Sequence, residues 1–196
     1  MKPIALAAAV ALTAAALTAL PATTASAQAS HEKFTDTFVN DPYDCVTSDG
    51  TVVHAQDAGT VNVTITVTQR GSSPFPYFTE SNHGSVTATN LDTGRTLTNK
   101  FANNFHDLKI TDNGDGTITI IQKAAGGSRW IDDTGKTVLK DPGGVWFAFD
   151  IDYNGTPGDT DDDIEVPDSF RIVKPSTGNS DFSDRNFCDD LLAFTS

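Results

Sequence analysis

Three features of this chain indicate an all-β domain of antiparallel strands. Apolar and polar residues alternate over short runs, most cleanly from Thr60 to Thr68, where Val61, Val63, Ile65 and Val67 interleave with Thr and Asn. Turn-forming Gly, Asp, Asn and Pro clusters recur about every ten residues. Beyond the N-terminal leader, no i, i+3, i+4 apolar pattern persists for three turns. A meander of about eight to ten short strands is expected, packed as a β-sandwich or rolled into a β-barrel. Periodicity alone does not separate those two.

Phe34 to Val39 and Val52 to Gln56 read as strands, with Asp41-Pro42 breaking the first and Asp57-Ala58-Gly59 turning the second into Thr60 to Thr68. Phe75 to Glu80 reads as a short edge strand, because its prolines cannot donate to a central ladder. Ser81-Asn82-His83-Gly84 turns into Ser85 to Leu91, and Asp92-Thr93-Gly94 into Arg95 to Asn99. Phe105 to Thr111 and Thr117 to Lys123 flank Asp112-Asn113-Gly114-Asp115-Gly116, a strong hairpin signal. After a loop at Ala124 to Ser128, Trp130-Ile131 and Lys136 to Leu139 flank Asp132-Asp133-Thr134-Gly135. Pro142-Gly143-Gly144 leads into Val145 to Asp152, and Ser169 to Val173 is a further strand. Cys188 to Phe194 has room for one helical turn.

The chain opens with Lys2, an Ala/Leu-rich run from Ile4 to Leu20 and an A-x-A site at Ala25-Ser26-Ala27, the pattern of a secretory signal peptide. Residues 1–27 are therefore set aside, and 28–196 are expected to form one secreted all-β domain without membrane insertion. The net charge of −13 argues against nucleic acid and anionic membrane surfaces as partners. Cys45 and Cys188 both lie in the exported part, so one disulfide is expected. Neither has a second Cys or a His at zinc-ligand spacing.

The sharpest chemical signal runs from Val145 to Val166. Val145, Phe147, Phe149 and Ile151 alternate with Trp146, Ala148, Asp150 and Asp152, then Asn154-Gly155 and Pro157-Gly158 turn the chain. Six Asp fall between Asp150 and Asp163, and no Lys or Arg occurs between Lys140 and Arg171. Oxygen ligands at alternate positions before a Gly suit a hard cation. Asp150, Asp152, Asn154 and Asp161 are the candidate Ca2+ ligands; the other reading is a solvated acidic hairpin. Asp112 to Asp115 and Asp132-Asp133 read as plain turns.

Asp36, His54 and His106 each fall in register with apolar neighbours and could line an inward polar pocket. Trp130, Trp146, Tyr77 and Tyr153 could form a sugar-stacking platform, or serve as packing. No catalytic frame is complete: Ser128 lacks the G-x-S-x-G surround of a nucleophile elbow.

The Asp150-x-Asp152-x-Asn154-Gly155 start resembles EF-hand, dockerin and thrombospondin-type calcium loops over about a dozen residues. It departs at Asp161, where an EF-hand prefers Glu, and at Pro157, and strands rather than helices flank it. That resemblance implies calcium ligation and no EF-hand fold. As a whole, the Ala-rich leader, the Phe34-to-Cys45 opening, the meander and the late Cys resemble small secreted β-proteins of unknown function in actinobacteria, which implies no activity. The expected role is a disulfide-closed binding or structural module. A carbohydrate or small-ligand binder is the alternative, and a hydrolase a more distant third.

Overall fold

The structure, a computed structural model, describes residues 30–181 and 185–196. The expected signal peptide lies outside them. The described chain is all-β apart from one C-terminal helix. Its strands are β1 (Ser30–Val39), β2 (Tyr43–Val46), β3 (Val52–Thr68), β4 (Tyr77–Asn90), β5 (Thr96–Asp112), β6 (Thr117–Asp132), β7 (Thr137–Asp152), β8 (Ile164–Glu165) and β9 (Arg171–Lys174); the helix is α1 (Phe187–Thr195). All the pairings are antiparallel, in the order β1-β3-β4-β5-β6-β7-β8, with β2 also on β3 and β9 also on β7. The sheet is not closed into a barrel, so of the two expected architectures the barrel is not formed.

The nine strands match the expected number, but five of them are far longer than alternation alone suggests. Ser81-Asn82-His83-Gly84, the run from Ala124 to Ser128 and Pro142-Gly143-Gly144 are not turns but the middles of β4, β6 and β7. They pair with one another's neighbourhoods: Gly84 lies opposite Val61 and Phe101, and Gly126 lies between Asn103 and Gly143. Glycine here serves close backbone approach rather than chain reversal. A Cβ on Gly84 would stand 2.2 Å from the Thr60 carbonyl oxygen, and one on Gly126 2.3 Å from that of Ala102. The expected edge strand at Phe75 is also corrected, since β4 runs between β3 and β5. Pro74 and Pro76 precede its first residue, so they interrupt no ladder. Pro142 is inside β7 but lies beyond the reach of β9, which pairs only from Trp146 to Ala148. Two residues earlier, the Lys140 N–H and carbonyl both point to the edge, toward Asp181. By the period of two, the nitrogen of Pro142 points the same way, where no ladder bond is lost.

Two covers lie over parts of the apolar side, leaving Phe34 of β1 exposed. At one end α1 packs over Val53, Ala55, Ala88 and Leu97 through Leu191, with Trp130 and Phe187 in ring contact at 5.4 Å. The helix runs past the single turn expected, because the Asn186 side chain caps it by accepting the Cys188 N–H and acidic Asp189 and Asp190 sit in its first turn. The Cys45–Cys188 disulfide ties it to β2, with Cα atoms 5.3 Å apart. At the other end Phe75, from the loop before β4, meets Tyr153, from the loop after β7, at 5.2 Å. Those loops belong to strands three places apart, so the sheet curls there. Beneath them Asp107, at a bulge in β5, is 1% exposed and accepts from Phe78 N–H and Gln122 Nε2.

Candidate functional site

The three inward polar candidates do not meet. Asp36 lies opposite Val61, on the apolar side, but on the edge strand β1, where it is exposed. His54 is also exposed; its Nδ1 lies 2.9 Å from Asp92, and the hydrogen bond to that carboxylate, with its charge, raises the imidazole above its ordinary range. His106 lies opposite Thr79 and Lys123, near the other end of the sheet from His54. Both histidines occupy strand positions on the polar side of the sheet, so a one-residue shift of register separates this outcome from an inward pocket.

The acidic loop finds its counter-charge in tertiary structure. Arg171 of β9 pairs with Asp150 at 3.3 Å, and Thr119 Oγ1 donates to the same carboxylate at 2.7 Å. These contacts hold Asp150 below the usual carboxylate range, the Thr119 hydrogen bond contributing most. Asn154 takes a left-handed φ of 47° before Gly155 at 79°, the paired positive angles of an Asn-Gly turn. Its amide nitrogen donates to the Asp162 carbonyl, and Asp152 accepts its backbone N–H. Asp161 gives its own N–H to Asp159. The ligand set read from the sequence is thus spread over separate hydrogen bonds. Among the described residues, no three His, Cys, Asp or Glu converge as a metal-holding group. Burial, then the charges of Asp162, Asp159 and Asp152, push Asp163 upward. At the turns, Asp112, Asp115 and Asp132 accept backbone N–H groups at their own hairpins, as turn residues do.

A different surface gathers chemistry that no stretch of sequence shows. Residues directly opposite in antiparallel strands share a face. Across the registers, one row on the polar face runs His31, Thr66, Thr79, His106, Lys123 and Trp146, ending on Lys174. A second runs Thr37, Thr60, Ser85, Lys100, Arg129 and Lys140. Between them lie smaller or uncharged residues, Asn104, Ala125 and Gly144 in one row and Ala102, Gly127 and Pro142 in the next, with Lys33 and His83 toward β1. Side-chain bonds confirm the shared face: Thr35 to Asn62 at 2.8 Å, Thr37 to Thr60 at 3.1 Å, and His31 to Thr66 at 3.0 Å.

Lys33, Lys100, Lys123, Arg129, Lys140 and Lys174 all stand on this face, and between the two rows it carries no Asp or Glu. None of the six forms an ion pair among the described residues, whereas Arg95, Arg171 and Arg185 each do. Beside Trp146 the sheet opens into a cleft of about 300 Å³, bounded by Lys123, Lys174 and Thr177 and floored by Ala125, Gly143 and Gly144. The Lys174 ammonium lies 5.2 Å from the centre of the Trp146 ring. The four-aromatic platform is not assembled: Trp130 is in the core cluster, Tyr153 packs on Phe75, and Tyr77 lies under Arg70. Alternation alone places Trp146 on the polar side of β7; the cations beside it come from β6 and β9, and only the registers unite them.

Compared with known protein families, curated proteins and solved structures, the chain has no match.

Proposed function

We propose that this protein is an exported, disulfide-closed binding module that works through the polar face of its sheet. The observation that carries this reading is the open cleft at Trp146, a half-buried indole beside Lys123 and Lys174, which form no ion pair among the described residues, where the flanking residues shrink to Ala and Gly. Aromatic rings with an apolar body and a polar edge suit such surfaces. The disulfide supports an oxidising compartment, and no helix among the described residues is long and apolar enough to cross a membrane. A hydrolase reading has less support, since among the described residues none of those lining this cleft form a nucleophile–base pair.

Calcium enters the proposal only as a structural ion of the acidic loop. Arg171 pairs with Asp150, which leaves Asp152, Asn154 and Asp161 of the expected ligands, and the charge that Asp162, Asp159 and Asp152 place on neighbouring Asp163 supports the idea.

The test is affinity electrophoresis of the mature protein through gels containing neutral or acidic polysaccharides, with tryptophan fluorescence in parallel. Retardation by at least one of them, abolished in Trp146→Ala, is expected. No retardation and no fluorescence change with any of them would overturn the reading.

A further inference from the structure

The class of ligand can be drawn from the two cationic rows, an inference that rests on the polar face being the binding face. Lys100, Arg129 and Lys140 are direct neighbours on three adjacent strands, all exposed. Like charges directly opposite destabilise a sheet. Lysines that only keep a surface soluble gain nothing from abutting one another, least of all in an acidic chain rich in carboxylates. The nearby Asp181 is engaged by the main chain, accepting the Lys140 backbone N–H at 2.8 Å. In the other row Lys123 and Lys174 flank Trp146 from both sides.

We propose that this face binds an acidic oligosaccharide, with one carboxylated or sulfated sugar seated at Lys123, Trp146 and Lys174 and the chain running toward Lys100, Arg129 and Lys140. The chemistry divides simply. The indole offers a flat apolar surface to a sugar ring, and the ammonium groups meet its anion as point charges that demand no fixed geometry. Ala125 and Gly144 leave room beside the ring, and the cleft of about 300 Å³ sits at the small end of ligand sites, suiting one or two sugars. Arg129 lies six residues from Lys123 along β6, roughly 20 Å at strand rise, so only an oligomer reaches both rows. Single-stranded nucleic acid shares the need for cations, but it binds by stacking successive bases on several large aromatics, and these two rows present one indole, no Phe or Tyr, and the smaller imidazoles of His31 and His106. Duplex DNA, with about one charge per 1.7 Å, is further opposed by the acidic remainder of the molecule.

The experiment is calorimetric titration of the oxidised, mature protein with oligogalacturonate, a sulfated galactan oligomer, neutral cellopentaose and oligothymidylate at two salt concentrations. Oligogalacturonate or the sulfated oligomer should bind, about tenfold more weakly or worse in Lys123→Gln/Lys174→Gln, and more weakly as salt rises. Lengthening the ligand past about 20 Å should tighten binding in the wild type and not in Arg129→Gln/Lys140→Gln. Lys136→Gln, at an exposed hairpin, should change nothing. All these side chains are exposed or half-buried, so the variants should keep the wild-type melting temperature, which checks that they fold. Binding of cellopentaose through Trp146 with no effect of the lysine variants would overturn the acidic-sugar inference and leave the binding-module reading standing. Tighter binding of oligothymidylate would also overturn it. Failure of every ligand, with Trp146 fluorescence unmoved, would overturn both.

Discussion

Reducing the Cys45–Cys188 bridge is the perturbation whose size the structure sets most directly. The two cysteines are 143 residues apart, so the bond closes a loop nearly as long as the folded domain. The chain-entropy relation for a loop of that length gives about 5 kcal/mol at 25 °C, an upper figure because measured bridges often deliver less. For a domain this size each 1 kcal/mol moves the melting temperature by about 2–4 °C, so the roughly 2–4 kcal/mol a bridge typically delivers corresponds to an expected fall of about 4–16 °C on reduction. The folded state should survive at room temperature, because α1 has other anchors. Asn90 Nδ2 donates to Thr195 Oγ1 at 2.9 Å, Thr93 Oγ1 donates to the Thr195 carbonyl at 2.6 Å, and Ser48 N–H donates to Asp189 at 2.7 Å. Trp130 and Phe187 remain in ring contact. The assay is a melt followed by far-UV circular dichroism with and without a phosphine reductant, with Cys45→Ala/Cys188→Ala as the permanent reduced analogue. A reduced protein melting within about 2 °C of the oxidised one would refute the entropic argument. Loss of the helical signal at 25 °C on reduction would refute the claim that the other anchors suffice.

Single sites give further expected outcomes. Gly84→Ala should cost about 1–3 kcal/mol in urea unfolding, because its methyl collides with the Thr60 carbonyl; Gly158→Ala, with nothing nearer than the Pro74 oxygen at 4.0 Å, should stay within about 0.5 kcal/mol. Asp107→Ala should lose about 1–3 kcal/mol for each stranded donor, Phe78 N–H and Gln122 Nε2, whereas Asp107→Asn keeps one acceptor and should lose less, again read by urea unfolding. Asp163 is pushed up in the fold, first by burial and then by its acidic neighbours. Its ionised form therefore weighs against folding at neutral pH, and that penalty fades as pH falls through the raised value and is gone below the unfolded value of about 3.9. Asp163→Asn should accordingly raise the melting temperature at pH 7, with the gain vanishing in acid; no gain at pH 7 would contradict the crowding. If the loop takes a structural calcium ion, millimolar CaCl2 should raise the melting temperature above NaCl of equal ionic strength, and Asp163→Asn should remove the excess; equal melting temperatures would refute it.

The class of fold and most of the local chemistry are legible in the linear chain. Alternation in Val61 to Val67 and in Val145 to Ile151 agrees with the registers, which set Val63 against Phe34 and Phe149 against Ile120. Side-chain direction in a strand has a period of two whatever the strand pairs with. The Asp-rich hairpin turns are legible because their signal is equally local: an Asp carboxylate caps its own neighbours' N–H groups. Glycine is ambiguous in sequence, since chain reversal and close strand approach use the same residue, and only the paired strand shows which is meant. The charge of the acidic loop is visible along the chain, but not Arg171 folding back onto Asp150. Of the candidate site, only Trp146 and its polar-side placement are legible in the linear chain. Lys100, Lys123, Arg129, Lys140 and Lys174 are scattered solvent-side residues, and strand register alone sets Lys123 and Lys174 beside Trp146 and Lys100, Arg129 and Lys140 in a second row. Register is a long-range property: it depends on which strands pair and where, and no window along the chain contains it.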